Sequence, residues 1–226
     1  MRADNELMRF AAVVFDFDGL LMDTESVMLA SWQYEWQQHG LELDLDTFWV
    51  DHGGDVTEDR YRRLAAAVGP AYDRAASHAR RVAYRDELNR QLGLRPGIED
   101  WLQDAHSAGL SLAVASSSPR IWVRTLLNGI GMEDYFAAFA CGDEVERPKP
   151  SPEVYLLALD RLGVGAGRAV AVEDSPHGAA AARAAGLRCI AIPNPHVAAE
   201  SLDAADLVLA SAAELSLAQA LAELPD

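Results

Sequence analysis

The sequence predicts an α/β fold, in which a parallel sheet forms the core and a helical segment is inserted after the first strand. Two observations predict this architecture. From Gly97 onward, apolar runs of strand length alternate with helical patterns, which is typical of a parallel sheet. Between Glu25 and Leu92 the chain has helical spacing and no convincing strand. We therefore expect a Rossmann-like core with a ligand crevice at the carboxyl ends of its strands.

The first predicted strand, residues 11–15, is an apolar run that leads into two carboxylates. Asp16 and Asp18 are two residues apart, so in extended backbone their side chains leave on the same side. At roughly 5 Å and an effective dielectric of about 20 they would repel by on the order of 3 kcal/mol. This favours a bound divalent metal, a shared proton, or both. The alternative is a solvated turn ending at Gly19 with local Asx hydrogen bonds.

Residues 24–93 are predicted to form a helical domain of their own, while residues 1–23 and 94–226 form the core domain. A first helix is expected after the strand, ending at Gly40. A second is expected to start at Asp55 or Thr57, either of which can cap it, and to end at Gly69. A third is expected over residues 71–91. Glycine and proline in the linkers, residues 19–24 and 93–97, fit a hinge.

The remaining elements follow from alternating patterns. Ser151 and Pro152 supply an N-cap and a first-turn proline for one of the helices. The predicted helices cover residues 98–108, 119–128, 175–185 and 215–224 and a segment after Ser151. The predicted strands cover residues 110–115, 137–141, 169–172, 188–192 and 206–210.

Composition narrows the class of partner. The formal net charge of −16 argues against nucleic acid or an anionic membrane as the main partner, because both need a basic surface. No apolar run approaches the length of a membrane span, and the first residues lack a signal core. We expect a soluble cytoplasmic protein. Cys141 and Cys189 are expected to be buried apolar residues without a zinc site.

Three later segments carry polar residues where ligands of an α/β core bind. Ser116 begins a run of three serines between a strand and a helix, where hydroxyls and free backbone N–H groups can cradle an anion. Seen alone, an ordinary helix cap is the better interpretation. Lys149 lies between two prolines before a helix, which restrains it, although most lysines are solvated. An acidic chain that binds a phosphate ester needs such a local cation.

Glu173 and Asp174 form a pattern similar to that of Asp16 and Asp18. Two carboxylates again follow a predicted buried strand and precede a helix. Asp174 would cap that helix in the simpler interpretation. With Asp16 and Asp18, however, four carboxylates would converge on one crevice, which is costly without a hard cation.

In this order, the four segments resemble the four motifs of the haloacid dehalogenase superfamily. Asp16, Asp18 and Gly19 resemble motif I, Ser116 motif II, Lys149 motif III, and Glu173 with Asp174 motif IV. The residues 23–25 resemble the branch that includes β-phosphoglucomutase and small sugar-phosphate or phosphoglycolate phosphatases. The helical insert occupies the place of that branch's cap domain, so the resemblance covers nearly the whole chain.

The resemblance implies a mechanism. Asp16 would be the nucleophile and form an aspartyl-phosphate, while Asp18 would protonate the leaving oxygen and then deprotonate water. Mg²⁺ would be held by the Asp16 carboxylate, the Asp18 main-chain carbonyl and Asp174, with Glu173 acting through coordinated water. Ser116 and Lys149 would bind the phosphate, and the cap domain would close over the site.

The implied activity is that of a phosphatase for a small phosphorylated metabolite, a sugar phosphate or a phosphoglycolate-like compound, in a monomeric protein. A β-phosphoglucomutase-type mutase is the first alternative, but Met28 stands where that mutase carries a histidine. The presence of Asp18 argues against a dehalogenase. A non-catalytic phosphoacceptor module is the alternative from another class. Polar residues of the insert are unranked candidates for substrate selection: Asp51, His52, Asp55, Thr57, Tyr84 and Arg85.

Overall fold

Six parallel strands form one sheet in the order β3-β2-β1-β4-β5-β6. The computed structural model describes residues 9–49 and 56–225. The strands are β1 (Ala12–Phe15), β2 (Ser111–Ala115), β3 (Ala138–Ala140), β4 (Ala169–Glu173), β5 (Arg188–Ala191) and β6 (Leu207–Val208). The predicted α/β fold with a Rossmann-like parallel sheet is confirmed.

Strand β1 lies at the centre of the sheet, between β2 and β4, and all its residues are buried. Its last residue, Phe15, is in register with Val114 of β2 and with Val172 of β4. Since the three strands are parallel and end at the same level, the residues that follow them meet at one edge of the sheet. The chain turns to opposite sides of β1 when it adds β2 and β4, and in open α/β sheets ligands bind at such a point.

Within the described part of the chain, five α-helices accompany the sheet: α5 (Ile98–Ser107), α6 (Arg120–Gly129), α7 (Glu153–Leu162), α8 (Pro176–Ala184) and α9 (Leu217–Ala222). Helix α7 packs against β2 and β3, and α8 packs against β4 and β5. Their small and aliphatic residues form one buried cluster with Ala12 and Val14 of β1. Helix α5 packs against β2 and α9.

The helices of the inserted segment are α1 (Thr24–Gln37), α2 (Leu45–Phe48), α3 (Thr57–Val68) and α4 (Arg74–Asn89). Helix α1 packs against α4. Buried Arg81 lies 4.4 Å above the Trp32 ring and donates hydrogen bonds to Tyr61 Oη at 2.7 Å and to Ser31 Oγ at 3.2 Å. This unit is therefore held together by buried polar contacts as well as by the apolar cluster of Trp32, Phe48 and Tyr61.

The chain divides into two compact units. One comprises Met1–Asp23 with Gly93–Asp226, and the other comprises Thr24–Leu92. The division predicted from the sequence placed Gly93 in the helical unit. Among the described ranges 9–49 and 56–225, none of the helices has the length and apolar character that a membrane span requires.

Two predicted helix starts are wrong. Helix α7 begins at Glu153, and its N-cap is Pro152 rather than Ser151; the Ser151 hydroxyl instead donates to the Glu153 carboxylate. Thr57 is the first residue of α3 and not its cap, since the N-cap is Val56 and makes no side-chain bond. The other predicted cap of α3, Asp55, lies outside the described residues. Helix α2 escaped sequence analysis because it spans one turn, capped by Asp44.

Candidate active site

Lys149 lies at the centre of the polar edge of the sheet. Its ammonium donates hydrogen bonds to Asp16 Oδ1 at 2.5 Å, Glu173 Oε1 at 2.6 Å and the Ala115 carbonyl at 2.8 Å. These three acceptors match the three N–H donors of a lysine ammonium. Lys149 is 6% exposed, so the single cation predicted from the sequence is buried between two of the predicted carboxylates.

The charges at this edge shift each other's pKa. Burial raises the pKa of Asp16 well above its usual value, and the Glu173 and Asp174 charges raise it further, while Lys149 opposes both effects. Burial by itself would lower the pKa of Lys149, but the Asp16 and Glu173 charges hold it above the usual value of a lysine. The three acceptors around its nitrogen fit the ammonium form of Lys149.

Asp16, Glu173 and Asp174 form a group that can hold a metal ion. Each offers a carboxylate oxygen, these oxygens lie within 4.8 Å of one another, and all three residues are buried. Lys149 can compensate one of the three negative charges. Hard divalent cations prefer oxygen ligands, and carboxylates above all. The donor set therefore fits a cation such as Mg²⁺.

Asp174 is oriented by an asparagine that sequence analysis missed. Asn194 Nδ2 donates to Asp174 Oδ2 at 2.7 Å, and Asn194 Oδ1 accepts from the His196 amide at 2.9 Å. Asn194 is buried and follows β5, the strand next to β4. Its position between Pro193 and Pro195, just beyond a predicted strand, was the available signal.

Glu173 is fixed on three sides. Tyr155 Oη of α7 donates to Glu173 Oε1 at 2.5 Å, the same oxygen that Lys149 contacts. Glu173 Oε2 accepts from the Asp174 amide at 3.2 Å. A Cβ at Gly178 would lie 1.9 Å from Glu173 Oε2, so the first turn of α8 can approach this carboxylate only as glycine. Tyr155 lies in the helix predicted after Ser151, but the sequence did not indicate this contact.

Asp18 contacts a different set of partners from Asp16. Its Oδ2 accepts from Ser118 Oγ at 2.6 Å and lies 3.3 Å from Ser116 Oγ. Its Oδ1 accepts from the indole N–H of Trp122 at 2.9 Å. Ser116 was predicted from the sequence. Ser118 and Trp122 were not predicted as site residues. Ser118 belongs to the serine run, and Trp122 lies in the first turn of the helix that follows it.

Arg95 also escaped sequence analysis. Its guanidinium donates to the main-chain carbonyls of Gly19 at 2.5 Å, Pro193 at 2.9 Å and Ile192 at 3.3 Å. It thereby ties the turn after Asp18 to the segment that leads into Asn194.

A protein-family model described as haloacid dehalogenase-like hydrolase matches residues 13–192. The chain belongs to this family. The matched region contains all six residues proposed for the site, from Asp16 to Asp174, and the predicted resemblance is confirmed.

Individual relatives and solved structures are similar to the chain over almost its whole length. YhcW of Bacillus subtilis (strain 168), provisionally named a phosphatase, is 35% identical over 92% of this chain and 94% of its own. A CbbY variant from Rhodobacter sphaeroides, crystallised with xylulose-(1,5)bisphosphate, is 32% identical with a TM-score of 0.73, covering 91% of this chain and 96% of its own. A Thermotoga maritima protein provisionally named a β-phosphoglucomutase is 27% identical with a TM-score of 0.81, covering 96% of this chain and 100% of its own.

Further curated relatives in the haloacid dehalogenase-like family are named as phosphatases of carbohydrate phosphates. The chain is accordingly a phosphoric monoester hydrolase of this family.

The structure describes three of the six polar residues that were considered candidates for substrate selection. Asp51, His52 and Asp55 lie outside the described residues. Within the helical unit, Tyr84 stacks on Tyr34 with ring centroids 4.2 Å apart, and Arg85 pairs with Asp86 at 2.8 Å. Thr57 opens α3. These contacts do not single out Thr57, Tyr84 or Arg85 as a substrate ligand.

Proposed function

We propose that the chain is a Mg²⁺-dependent phosphatase that hydrolyses a small sugar phosphate through an aspartyl-phosphate on Asp16. The observation that carries this proposal is the buried group in which Lys149 bridges Asp16 and Glu173 while Asp174 lies beside them. A solvated turn would leave Asp16 exposed, whereas it is 6% exposed and next to the cation that a phosphate ester requires.

The metal would be held by the Asp16 carboxylate, the main-chain carbonyl of Asp18 and Asp174, with Glu173 acting through water. When bound, Mg²⁺ would neutralise the charge of the clustered acids and of the phosphoryl oxygens. The close grouping of the three buried carboxylates supports this assignment.

Asp16 would attack phosphorus as the ester bond breaks, and the phosphoryl group would pass to its carboxylate. Asp18 would give a proton to the leaving oxygen. In the second half-reaction Asp18 would take a proton from water, which attacks the phosphoaspartate and releases inorganic phosphate. Ser116 and Lys149 would hold phosphoryl oxygens. The contact between the Ser116 and Asp18 side chains supports this arrangement, because it places the acid beside the proposed phosphate ligand.

A sugar phosphate is the favoured substrate because relatives are named for carbohydrate phosphates and one was crystallised with a sugar bisphosphate. We assign the helical unit Thr24–Leu92 the role of a cap domain that selects this substrate. A cytoplasmic location and a monomeric state belong to the same proposal.

A phosphosugar mutase is the second candidate, favoured by the similarity to the Thermotoga maritima protein. Met28 argues against it, because a thioether cannot exchange protons with a phosphosugar. In the structure the Met28 sulfur lies 3.2 Å from Nη1 of Arg60, within the helical unit.

The decisive experiment is a panel of sugar phosphates assayed for phosphate release, together with p-nitrophenyl phosphate, with Mg²⁺ and with EDTA. We expect steady turnover that requires Mg²⁺ and disappears in Asp16→Asn. Isomerisation dependent on glucose 1,6-bisphosphate, without phosphate release, would favour the mutase. Stoichiometric phosphorylation without turnover would favour the phosphoacceptor module.

A further inference from the structure

The Asp18 carboxylate is held at both oxygens by one short segment of the chain. Ser116 and Ser118 contact Oδ2, and the indole of Trp122 contacts Oδ1. All three belong to the connection from β2 to the first turn of α6. The same connection contains Ser116, the proposed phosphate ligand. The contacts at Oδ1 and Oδ2 therefore both oppose a movement of Asp18 relative to the phosphate.

The two oxygens face partners of different chemistry. An indole N–H donates a hydrogen bond and cannot accept one, whereas a serine hydroxyl does both. The N–H of Trp122 therefore fixes Oδ1, while Oδ2 lies on the side of Ser116, the proposed phosphate ligand.

We propose that Trp122 is a positioning residue for proton transfer, which anchors Oδ1 of Asp18 and so directs Oδ2 toward the leaving oxygen of the substrate. This inference rests on the proposed phosphatase function. In the first half-reaction the Oδ2–H bond breaks and its proton joins the bridging oxygen, which keeps the electron pair of the broken phosphorus–oxygen bond. In the second, Oδ2 takes a proton from the attacking water while the phosphorus–oxygen bond to Asp16 breaks.

Leaving-group dependence separates this role from packing. p-Nitrophenolate is a weak base and leaves without a proton, whereas a sugar alkoxide needs one. Since kcat/KM covers the steps up to departure of the first product, a misplaced acid lowers it selectively for the sugar phosphate. A merely structural defect lowers it equally for both substrates.

The test is Trp122→Phe, which removes the N–H and keeps an aromatic ring. Helix α6 remains anchored by Val123 and Leu127, both fully buried, so the variant is expected to fold, and circular dichroism checks this. We expect kcat/KM for the most active sugar phosphate to fall about ten- to hundredfold more than kcat/KM for p-nitrophenyl phosphate. Asp18→Asn should show the same selectivity with a larger loss.

The matched control is Trp101→Phe. Trp101 Nε1 donates to the Leu215 carbonyl at 2.9 Å, in the packing of α5 and outside the site, so this variant also loses one indole hydrogen bond. It should leave the ratio of the two kcat/KM values unchanged. Equal losses on both substrates in Trp122→Phe, or no loss, would overturn the inference while the phosphatase function stands. No turnover by the wild-type enzyme on either substrate would overturn the proposed function and the inference with it.

Discussion

The amide of Asn194 donates a 2.7 Å hydrogen bond to Oδ2 of Asp174, and both residues are buried. Asn194 follows β5 and Asp174 follows β4, so the bond joins the ends of two neighbouring strands. A carboxylate held in this way presents its other oxygen in a fixed direction. Outer-sphere partners of this kind tune the affinity of metal sites.

Asn194→Ala is therefore expected to weaken Mg²⁺ binding about ten- to hundredfold, because the Asp174 carboxylate is no longer oriented. Isothermal titration calorimetry with MgCl₂ measures this without reference to turnover. Asn89→Ala is the matched control, since Asn89 is also a buried asparagine and its amide has no hydrogen-bond partner among the described residues. Equal Mg²⁺ affinities in the wild type and Asn194→Ala would contradict the assignment of Asp174 as a metal ligand held by Asn194.

Replacement of Lys149 should affect stability as well as activity. Lys149→Met leaves Asp16 and Glu173 buried without the cation that both contact, and the loss of one partner of a buried pair costs about 3–5 kcal/mol. Urea unfolding in EDTA measures the change in the free energy of unfolding. In the double variant Asp16→Asn, Lys149→Met, one of the two uncompensated charges is gone, so part of the stability should return. Strict additivity of the two single changes would show that Lys149 and Asp16 do not interact.

Gly178→Ala should damage the site through Glu173. The new Cβ would lie 1.9 Å from Glu173 Oε2, so either the carboxylate or the start of α8 must move. We expect weaker Mg²⁺ binding and at least about a tenfold loss of kcat. Gly129→Ala, at the end of α6, adds the same methyl group with nothing within 4 Å and should leave both quantities unchanged. Wild-type kcat in Gly178→Ala would mean that the position of Glu173 is unimportant.

Both cysteines should resist thiol reagents in the native protein. Burial, with the nearby Glu144 charge, raises the pKa of Cys141 to about 12, and burial raises the pKa of Cys189 well above its usual value. In unfolded chains these thiols ionise near pH 9. Between that value and the higher native pKa the native state binds more protons than the unfolded state, so Cys141 and Cys189 make stability fall as pH rises through this window.

The measurement is titration with 5,5′-dithiobis(2-nitrobenzoic acid). Between pH 8 and 9 we expect negligible labelling of the native enzyme and rapid labelling of two thiols in guanidinium chloride. Cys141→Ala, unfolded in guanidinium, should show one reactive thiol and serves as the control for the count. Fast reaction of the native protein would mean that at least one thiol is accessible, contrary to its burial.

Local patterns were sufficient to predict the sheet and the edge at which the site lies. The apolar run before Asp16 and the run before Glu173 have the composition of strands buried on both faces, and parallel strands align their carboxyl ends. Because this alignment is a general property of parallel sheets, residues far apart in the chain could be assigned to one crevice. The end of α1 was predicted at Gly40, just beyond its last residue, Gln37, because the helical spacing stops at this glycine.

Individual contacts depended on packing across long separations. Lys149 and Asp16 are 133 positions apart and Trp122 and Asp18 are 104 apart, so no local pattern relates them. Tyr155, Trp122 and Asn194 have the sequence signals of a core residue, a helix residue and a turn residue. Each becomes part of the site because a helix or loop packs at the end of a particular strand, and this packing is a property of the whole chain. The residue types and their order along the chain were sufficient to propose the chemistry, whereas the partner of each oxygen was decided by the three-dimensional fold.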